Sequence, residues 1–418
     1  MALQRLRPLL AHAVAHVPYY RDLFERTGIR PSDIKTVADL ARLPLTGKSD
    51  LRSGFPAGVV ADNLPASRRF KMQTSGSTGL PFDFYADRTD LDRRIGSFLL
   101  FWEWAGAPVG DGVVQVVVSL RPTVTVQSAS RWVQTARRFV GEQVMHVSGI
   151  KANPSELLAR VSQLSSRSDY LLWGLPSSIA RIAVGLLDRN NSLAKLPRVV
   201  ISTGESLTAA DASVIVRAFR CPIVNHYSAY EVLHLAQTCP DNPELLHINS
   251  ERAILRVVRA DGSTAAPAES GRIVITDLGN WIMPFINYEI GDWAEAGSMC
   301  PCGRGFPTLR NVEGRLGEII RTPAGKMISP VTLGWFLAHV RQTAGYIWEF
   351  QAIQTAADAI VLHIVPTARF TAEFAQDLER GLEEFLGGGM AVKVEKVDRI
   401  ELEASGKRLV IKSELISS

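Results

Sequence analysis

The sequence predicts an α/β protein of two domains. The larger, residues 1–314, has a parallel, doubly wound sheet, and the smaller, residues 315–418, is α+β. Three observations predict this. A chain of 418 residues exceeds what one hydrophobic core ordinarily serves. Between residues 170 and 226, short apolar runs alternate with helical runs, a pattern that builds right-handed crossovers and a parallel sheet. Past residue 250 the pattern turns hairpin-like, and past Arg315 it becomes a compact mixture of strands and helices.

Residues 1–50 read as helical, punctuated by Pro18, Pro31 and Pro44. Leu3, Leu6, Leu10, Val14 and Val17 recur at helical spacing. Early arginines and an Ala-Val-Ala raise the idea of a secretory leader, but Arg7, Pro8 and His12 interrupt its apolar core. The expectation is an amphipathic helix opening a cytoplasmic protein. The β-branched run 113–118 predicts a buried strand. Strands are expected at 170–174, 198–203 and 222–226, with helices at 177–187 and 208–219 between them. Such short apolar strands suit a sheet covered on both faces. Strands 253–258 and 272–276 flank the turn Asp261-Gly262-Ser263. In the small domain, strands near Ile319 and at 359–365 and 392–397 alternate with helices 331–340 and 370–386. The boundary falls at residues 314–317, and Gly387-Gly388-Gly389 reads as a loop.

The composition, 46% apolar and 21% charged, is that of a globular protein. The net charge is only +4 and no basic stripe appears, so no nucleic-acid partner is expected. No apolar stretch reaches the ~18 residues of a membrane span. Four cysteines in this length argue against a disulfide framework.

Five stretches carry chemistry. QTSGSTGLPFDF, from Gln73 to Phe84, packs hydroxyls around two glycines. Alone it reads as a turn, and it lacks the lysine of the commonest phosphate loop. Consecutive N–H groups of such a loop can still cradle an anion, with the hydroxyls of Thr74, Ser75, Ser77 and Thr78 as further donors. STGESL, Ser202 to Leu207, sits where a strand ends and a helix begins, the place where open α/β sheets bind ligands; a helix cap is its plain reading. NHYSAYE, Asn225 to Glu231, sets an aromatic face beside a carboxylate, or is a loop with a packed tyrosine. INYEIGDW, Ile286 to Trp293, holds Asp292 after a glycine, where an Asx turn would suffice. EASGKRLVIKS, Glu403 to Ser413, ends the chain with lysines on a strand-like run; a solvated Lys407 is the plain reading.

In this order the pieces resemble the adenylate-forming superfamily, and more narrowly its phenylacetate–CoA ligase group. HVPYYRDLFERTGIRPSDIKTVADLARLPLTGKSDLR resembles that group's opening segment and TSGSTGLP its phosphate loop. GRIVITDLGNWIMPFINYEIGDWAEAGSMCPCGRG resembles its central motif and NVEGRLGEII its hinge. The resemblance spans nearly the whole chain. It implies that Thr74, Ser75, Gly76, Ser77, Thr78 and Gly79 hold the β- and γ-phosphates of ATP. Gly204 and Glu205 would flank the adenine, Tyr227, with Ser228 beside it, would stack on it, and Asp292 would take the ribose hydroxyls. Glu231 would bind Mg²⁺. Arg315 would sit beside the ribose at the hinge, and catalytic Lys407 would reach in from a small domain that rotates between half-reactions.

Three positions depart from the group. Tyr230 adds a ring before Glu231, where it would narrow the pocket. Asn287 stands where arginine is usual, and Gly317 where aspartate is common at the hinge.

Cys239, His247, Cys300 and Cys302 make a second constellation. A Cys₃His set suits a closed structural zinc site, and the group carries similar positions. Three buried thiols and a core histidine are the plain reading. Cys221 reads as core.

The resulting expectation is ATP-dependent adenylation of a carboxylic acid, from the resemblance an aromatic one, with pyrophosphate release and transfer of the acyl group to CoA. Trp102, Trp104, Trp173 and His226 are candidate pocket residues, or plain core. An amine acceptor would make an amide. Some relatives in secondary metabolism activate nitrite to diazotise an aromatic amine, which a pocket narrowed by Tyr230 would suit. A non-catalytic nucleotide sensor on the same fold is the rival of a different class. The partners expected are a small-molecule acid and its acceptor, with a homodimer left open.

Overall fold

The computed structural model describes residues 2–74, 82–108, 110–117, 144–148, 154–163, 169–188, 193–315, 318–337, 345–403 and 407–415. Helix α1 (Ala2–His16) buries Leu6, Leu9, Leu10 and Ala13. Helix α2 (Pro18–Thr27) starts on Pro18, whose missing N–H costs nothing at a helix start, and stops at left-handed Gly28. Together they close a core against Ile254, Leu278 and Ile286. Helix α3 (Lys48–Ser53) follows Gly47, whose N–H donates to Asp50 at 2.7 Å.

Strands β1 (Phe70–Gln73) and β2 (Asp83–Ala86) pair antiparallel, Phe70 opposite Ala86 and Gln73 opposite Asp83. The Thr74 N–H donates to the Phe82 carbonyl at 2.9 Å, carrying the pairing one step past the strands. Ser75, Gly76, Ser77, Thr78 and Gly79 lie outside the described residues. Helix α4 (Arg88–Trp104) follows, capped by the Asp87 carboxylate, which accepts the N–H of Asp90.

Eleven strands then form one sheet. Its parallel half is β3 (Gly112–Val117), β4 (Val144–Ser148), β5 (Tyr170–Gly174), β6 (Val199–Thr203) and β7 (Ile223–Ala229). Its antiparallel half is β8 (Leu233–Thr238), β9 (Leu246–Ile248), β10 (Ala253–Val258), β11 (Ser270–Asp277), β12 (Tyr288–Ala296) and β13 (Thr308–Arg315). The spatial order is β10-β11-β12-β13-β9-β8-β7-β6-β5-β3-β4. Neighbouring residues on a strand face opposite ways. Leu172 and Val200 pack with helices α5 (Pro154–Gln163), α6 (Pro176–Asp188) and α7 (Ala209–Phe219), while Leu171, Val199 and Ile201 pack with Phe98 and Trp102 of α4. The expected double winding is present, and it runs without a break into the antiparallel half.

The small unit has its own core, drawn from residues between Ile320 and Ile411. It contains β14 (Ile320–Arg321), β15 (Met327–Ile328), α8 (Pro330–Trp335), β16 (Ile347–Ala356), β17 (Ala359–Pro366), α9 (Ala372–Leu386), β18 (Ala391–Lys396) and β19 (Ile411–Ser413), with sheet order β18-β17-β16-β19. Gly387, at φ +96°, caps α9 in the left-handed conformation. One expectation is corrected here. Lys407 lies in the segment before β19 and not on the strand, which carries Lys412 instead. Among the described residues no helix is long and apolar enough to cross a membrane.

Candidate active site

The β7–β8 turn brings the carboxylates together. Glu231 follows β7, and Tyr227 lies within it. The Tyr227 hydroxyl donates to Asp292 Oδ2 at 2.7 Å. Asp292 of β12 is the register partner of Arg315 of β13, and Arg315 Nε stands 3.5 Å from Asp292 Oδ1. Burial, then the Asp292 charge, push the Tyr227 phenol well above its usual pKa, so it stays a donor. The plain reading of Asp292 as a turn-former is overturned, because a strand holds it.

Glu231 is 4% exposed. Its Oε1 accepts from the Tyr288 hydroxyl at 3.2 Å and faces Lys48 Nζ at 3.5 Å. Behind it, fully buried Arg94 donates to the carbonyls of Tyr230 at 3.2 Å and Glu231 at 2.7 Å. Arg94 also pairs with Asp90 at 2.8 Å, Asp90 with Arg252, and Arg252 with Asp277 at 2.9 Å. This buried chain of charges fixes the backbone on which the Glu231 carboxylate stands.

The third part comes from the small unit. Gly204 adopts φ +81°, where a Cβ would meet Leu175 Cδ2 at 2.9 Å and stand 4.0 Å from Lys407 Cε. The sequence needs glycine here, and Lys407 lies beside it. Burial lowers the Lys407 pKa, as does Arg315, against the opposing pull of Glu205, Glu318 and Asp292. Burial pushes Glu318 up to about 7, with Arg315 pulling it down and Asp292 pushing it up. Glu205 accepts the N–H of Ser177 at 3.3 Å and that of Arg408 at 2.6 Å, so its carboxylate is bound to the small unit's backbone. Ser228 shares a hydrogen bond with Thr203 at 3.2 Å. Thr74 is buried at the hairpin, its Oγ1 accepting from Phe82 N at 3.2 Å.

Of the residues singled out by sequence, Gly204, Glu205, Tyr227, Asp292, Arg315 and Lys407 thus converge, while Glu231 sits with Tyr288 and Lys48. Lys48, Tyr288, Arg94, Glu318 and Arg408 were not among them. Two signals were readable: Lys48 lies in TGKSD at a helix start, and Tyr288 in INYEIGDW. The departures have structural accounts. The Asn287 amide donates to the carbonyls of Leu43 at 2.8 Å and Pro44 at 3.0 Å, stitching the N-terminal segment to β12. The Tyr230 ring stands edge-on to Phe84, on the core of the antiparallel half. Gly317 lies outside the described residues.

A separate cluster gathers Cys239, His247, Cys300 and Cys302, whose ligand atoms all lie within 4.8 Å of one another. Cys239 and Cys300 sulfurs are 3.7 Å apart, close to the ~3.8 Å that tetrahedral zinc with ~2.3 Å Zn–S bonds imposes. His247 Nε2 is 3.2 Å from Cys302 Sγ, and its Nδ1 faces the Phe306 carbonyl at 3.4 Å. A carbonyl partner of that kind leaves Nε2 free to ligate. Three thiols and one imidazole in this geometry fit zinc. Cys221 packs at the edge of the α5–α7 core, as expected of it.

Residues 320–414 match the CapK C-terminal domain family. The Protein CapK of Staphylococcus aureus is 23% identical over 365 residues, 87% of this chain and 77% of that protein. The phenylacetate-coenzyme A ligase of Escherichia coli (strain K12) is 36% identical over 296 residues, 69% of this chain and 65% of that protein. Among solved structures, 2-hydroxyisobutyryl-CoA ligase in its postadenylation state, in complex with R3-HIB-AMP, superposes with a TM-score of 0.80 at 21% identity, covering 99% of this chain and 89% of that one. The same ligase in its thioesterification state gives 0.63 at 22% identity, covering 99% and 89%.

Proposed function

We propose that the chain is an adenylate-forming enzyme of the phenylacetate–CoA ligase-like group, which activates a carboxylic acid with ATP and passes the acyl group to CoA. In the first step a carboxylate oxygen bonds to the α-phosphorus, the bond from that phosphorus to the bridging oxygen breaks, and pyrophosphate leaves. In the second the CoA sulfur bonds to the acyl carbon, AMP leaves with its oxygen, and the thiol proton passes to solvent.

One observation carries the reading. Lys407 of the small unit enters the cleft where Gly204, Glu205, Asp292 and Arg315 meet. A desolvated ammonium there is a point charge for the negative charge that grows on phosphate oxygens in the transition state. Asp292 presents a carboxylate already oriented by Tyr227 and Arg315, and oriented groups lose less entropy when they take a ribose. Glu231 would hold Mg²⁺, which supplies charge neutralisation for the polyphosphate; Lys48, 3.5 Å from its Oε1, would face the same polyphosphate. Thr74 and the loop after it would wrap the outer phosphates. The chain superposes better on 2-hydroxyisobutyryl-CoA ligase in its postadenylation state, at a TM-score of 0.80, than in its thioesterification state, at 0.63, which suits the first half-reaction. Zinc at Cys239, His247, Cys300 and Cys302 would tie the β8–β9 connection to the segment before β13.

The test is ATP-dependent pyrophosphate release across aromatic acids, aliphatic acids and nitrite, each with and without CoA. Release with an acid, and acyl–CoA formed when CoA is added, supports the reading. Release with nitrite alone, or binding of ATP without release from any acid, contradicts it.

A further inference from the structure

Two imidazoles behind Tyr227 lack any hydrogen-bond partner among the described residues. His226 precedes Tyr227 on β7, and strand alternation sends its ring to the opposite face of the sheet, toward α4. His234 lies on β8 and stacks on it, ring centroids 4.0 Å apart and planes 27° apart. Both residues are buried, and all four ring nitrogens are without a hydrogen bond. The Trp173 indole nitrogen and Gln237 Oε1 are unpaired as well. Phe98 joins the group: its ring lies 5.6 Å from those of Trp173 and His226 and 5.5 Å from that of His234. Gln237 faces His226 across the β7–β8 ladder.

Buried polar atoms are nearly always paired, so six unpaired ones around one aromatic box call for a ligand. The chemistry of the box defines it. Each neutral imidazole offers one donor and one acceptor, the indole a donor and the amide oxygen an acceptor. Burial drives His226 down to about 3, and burial with the neighbouring His226 lowers His234, so both rings are neutral at physiological pH. Among the described residues, no carboxylate or cation hydrogen-bonds to either ring. An ammonium or a second carboxylate would therefore be buried uncompensated. A hydroxyl donates and accepts at once and carries no charge.

We propose that this box is the inner end of the acid pocket, and that the acid activated carries a hydroxyl on an apolar body, bonded by the ring edges of His226 and His234. The inference rests on the adenylation reading of the cleft on the other side of Tyr227. The box is shut as it stands, walled by Phe98, Trp102 and the half-buried Trp173, so it takes the ligand only when one of these rings moves.

The experiment compares matched acids: each hydroxylated acid with its unsubstituted parent and with its amino and dicarboxylic counterparts. It reads pyrophosphate release and, by calorimetry, acid binding. A site built to bond a hydroxyl rejects the analogue lacking it strongly, so the hydroxylated member should lead by at least about a hundredfold in kcat/KM. In His226→Phe and His234→Phe that ratio should collapse toward one. Both variants should keep or raise Tm, because an apolar ring replaces an unpaired polar one. Preference for the parent acid, or an unchanged ratio in both variants, overturns the proposal while leaving adenylation standing. Binding of the hydroxy acid that both substitutions abolish, without pyrophosphate release, upholds the box and sinks the adenylation reading.

Discussion

Arg408 crosses from the small unit to Asp211 of α7, Nη2 to Oδ2, at 2.6 Å, with both side chains buried. Asp211 is itself oriented by the Thr208 hydroxyl at 2.8 Å. With the Arg408 N–H on Glu205 and with Arg181 on Glu349 at 2.5 Å, this pair holds the small unit against the large one, one residue from Lys407.

It follows that Arg408→Gln should slow pyrophosphate release without touching the chemistry. Losing one partner of a buried charge pair costs ~2 kcal/mol or more, so release should fall about thirtyfold. Thioester formation from a supplied acyl-adenylate should fall less. Lys407→Ala, by contrast, should abolish release and leave ATP binding nearly intact, because its charge acts mainly in the transition state. Equal losses in both half-reactions of Arg408→Gln would remove the idea that the pair favours the adenylation arrangement.

The zinc site predicts a metal content near one per chain after purification without chelator. Cys300→Ser should lose the metal and lower Tm, since a structural site contributes folding energy. A full-length protein free of zinc with unaltered Tm would show that the four residues are ordinary core.

Arg94→Met is expected to be severe. It leaves Asp90, fully buried, with Arg252 as its remaining partner among the described residues, and frees two buried carbonyls. Breaking a buried charge network costs about 3–5 kcal/mol. Denaturant unfolding measures it, and a loss under 1 kcal/mol would mean that the network contributes little.

Glu318 gives a pH dependence. Its carboxyl rises from 4.5 to about 7 on folding. The folded protein thus holds the proton more tightly, and this group's contribution is fully present below pH 4.5 and lost as pH rises through about 7. In Glu318→Gln the slope of Tm against pH should be shallower across that window. An identical slope would place the titration elsewhere.

Four of the five parallel strands, β3, β5, β6 and β7, were legible because they are short and apolar, with helices of clear period between β5, β6 and β7: Tyr170–Gly174 has the expected bounds, whereas β4 was not read. Strands β8, β9, β12, β13 and β16 were not read. They hold polar residues such as Gln237 and Glu289 whose partners, the Phe101 carbonyl and Arg272, come from other segments, so local patterning gives no sign of burial. The site shows the same division. Gly204 and Asp292 stood out because glycine turns mark them. Arg94 looks like one more charge on an ordinary helix until the fold brings the carbonyl of Glu231, distant in sequence, within 2.7 Å. Arg408 was overshadowed by Lys407, and its partner Asp211 reads as a helix-start acid.

The central claim is that an oxygen of the acid bonds to the α-phosphorus of ATP. An acid that supports pyrophosphate release, labelled with ¹⁸O in its carboxylate, tests this most directly. After turnover with CoA, mass spectrometry should find one labelled oxygen in AMP and none in pyrophosphate. Unlabelled AMP, or label in a phosphate derived from the β or γ position, would contradict the account.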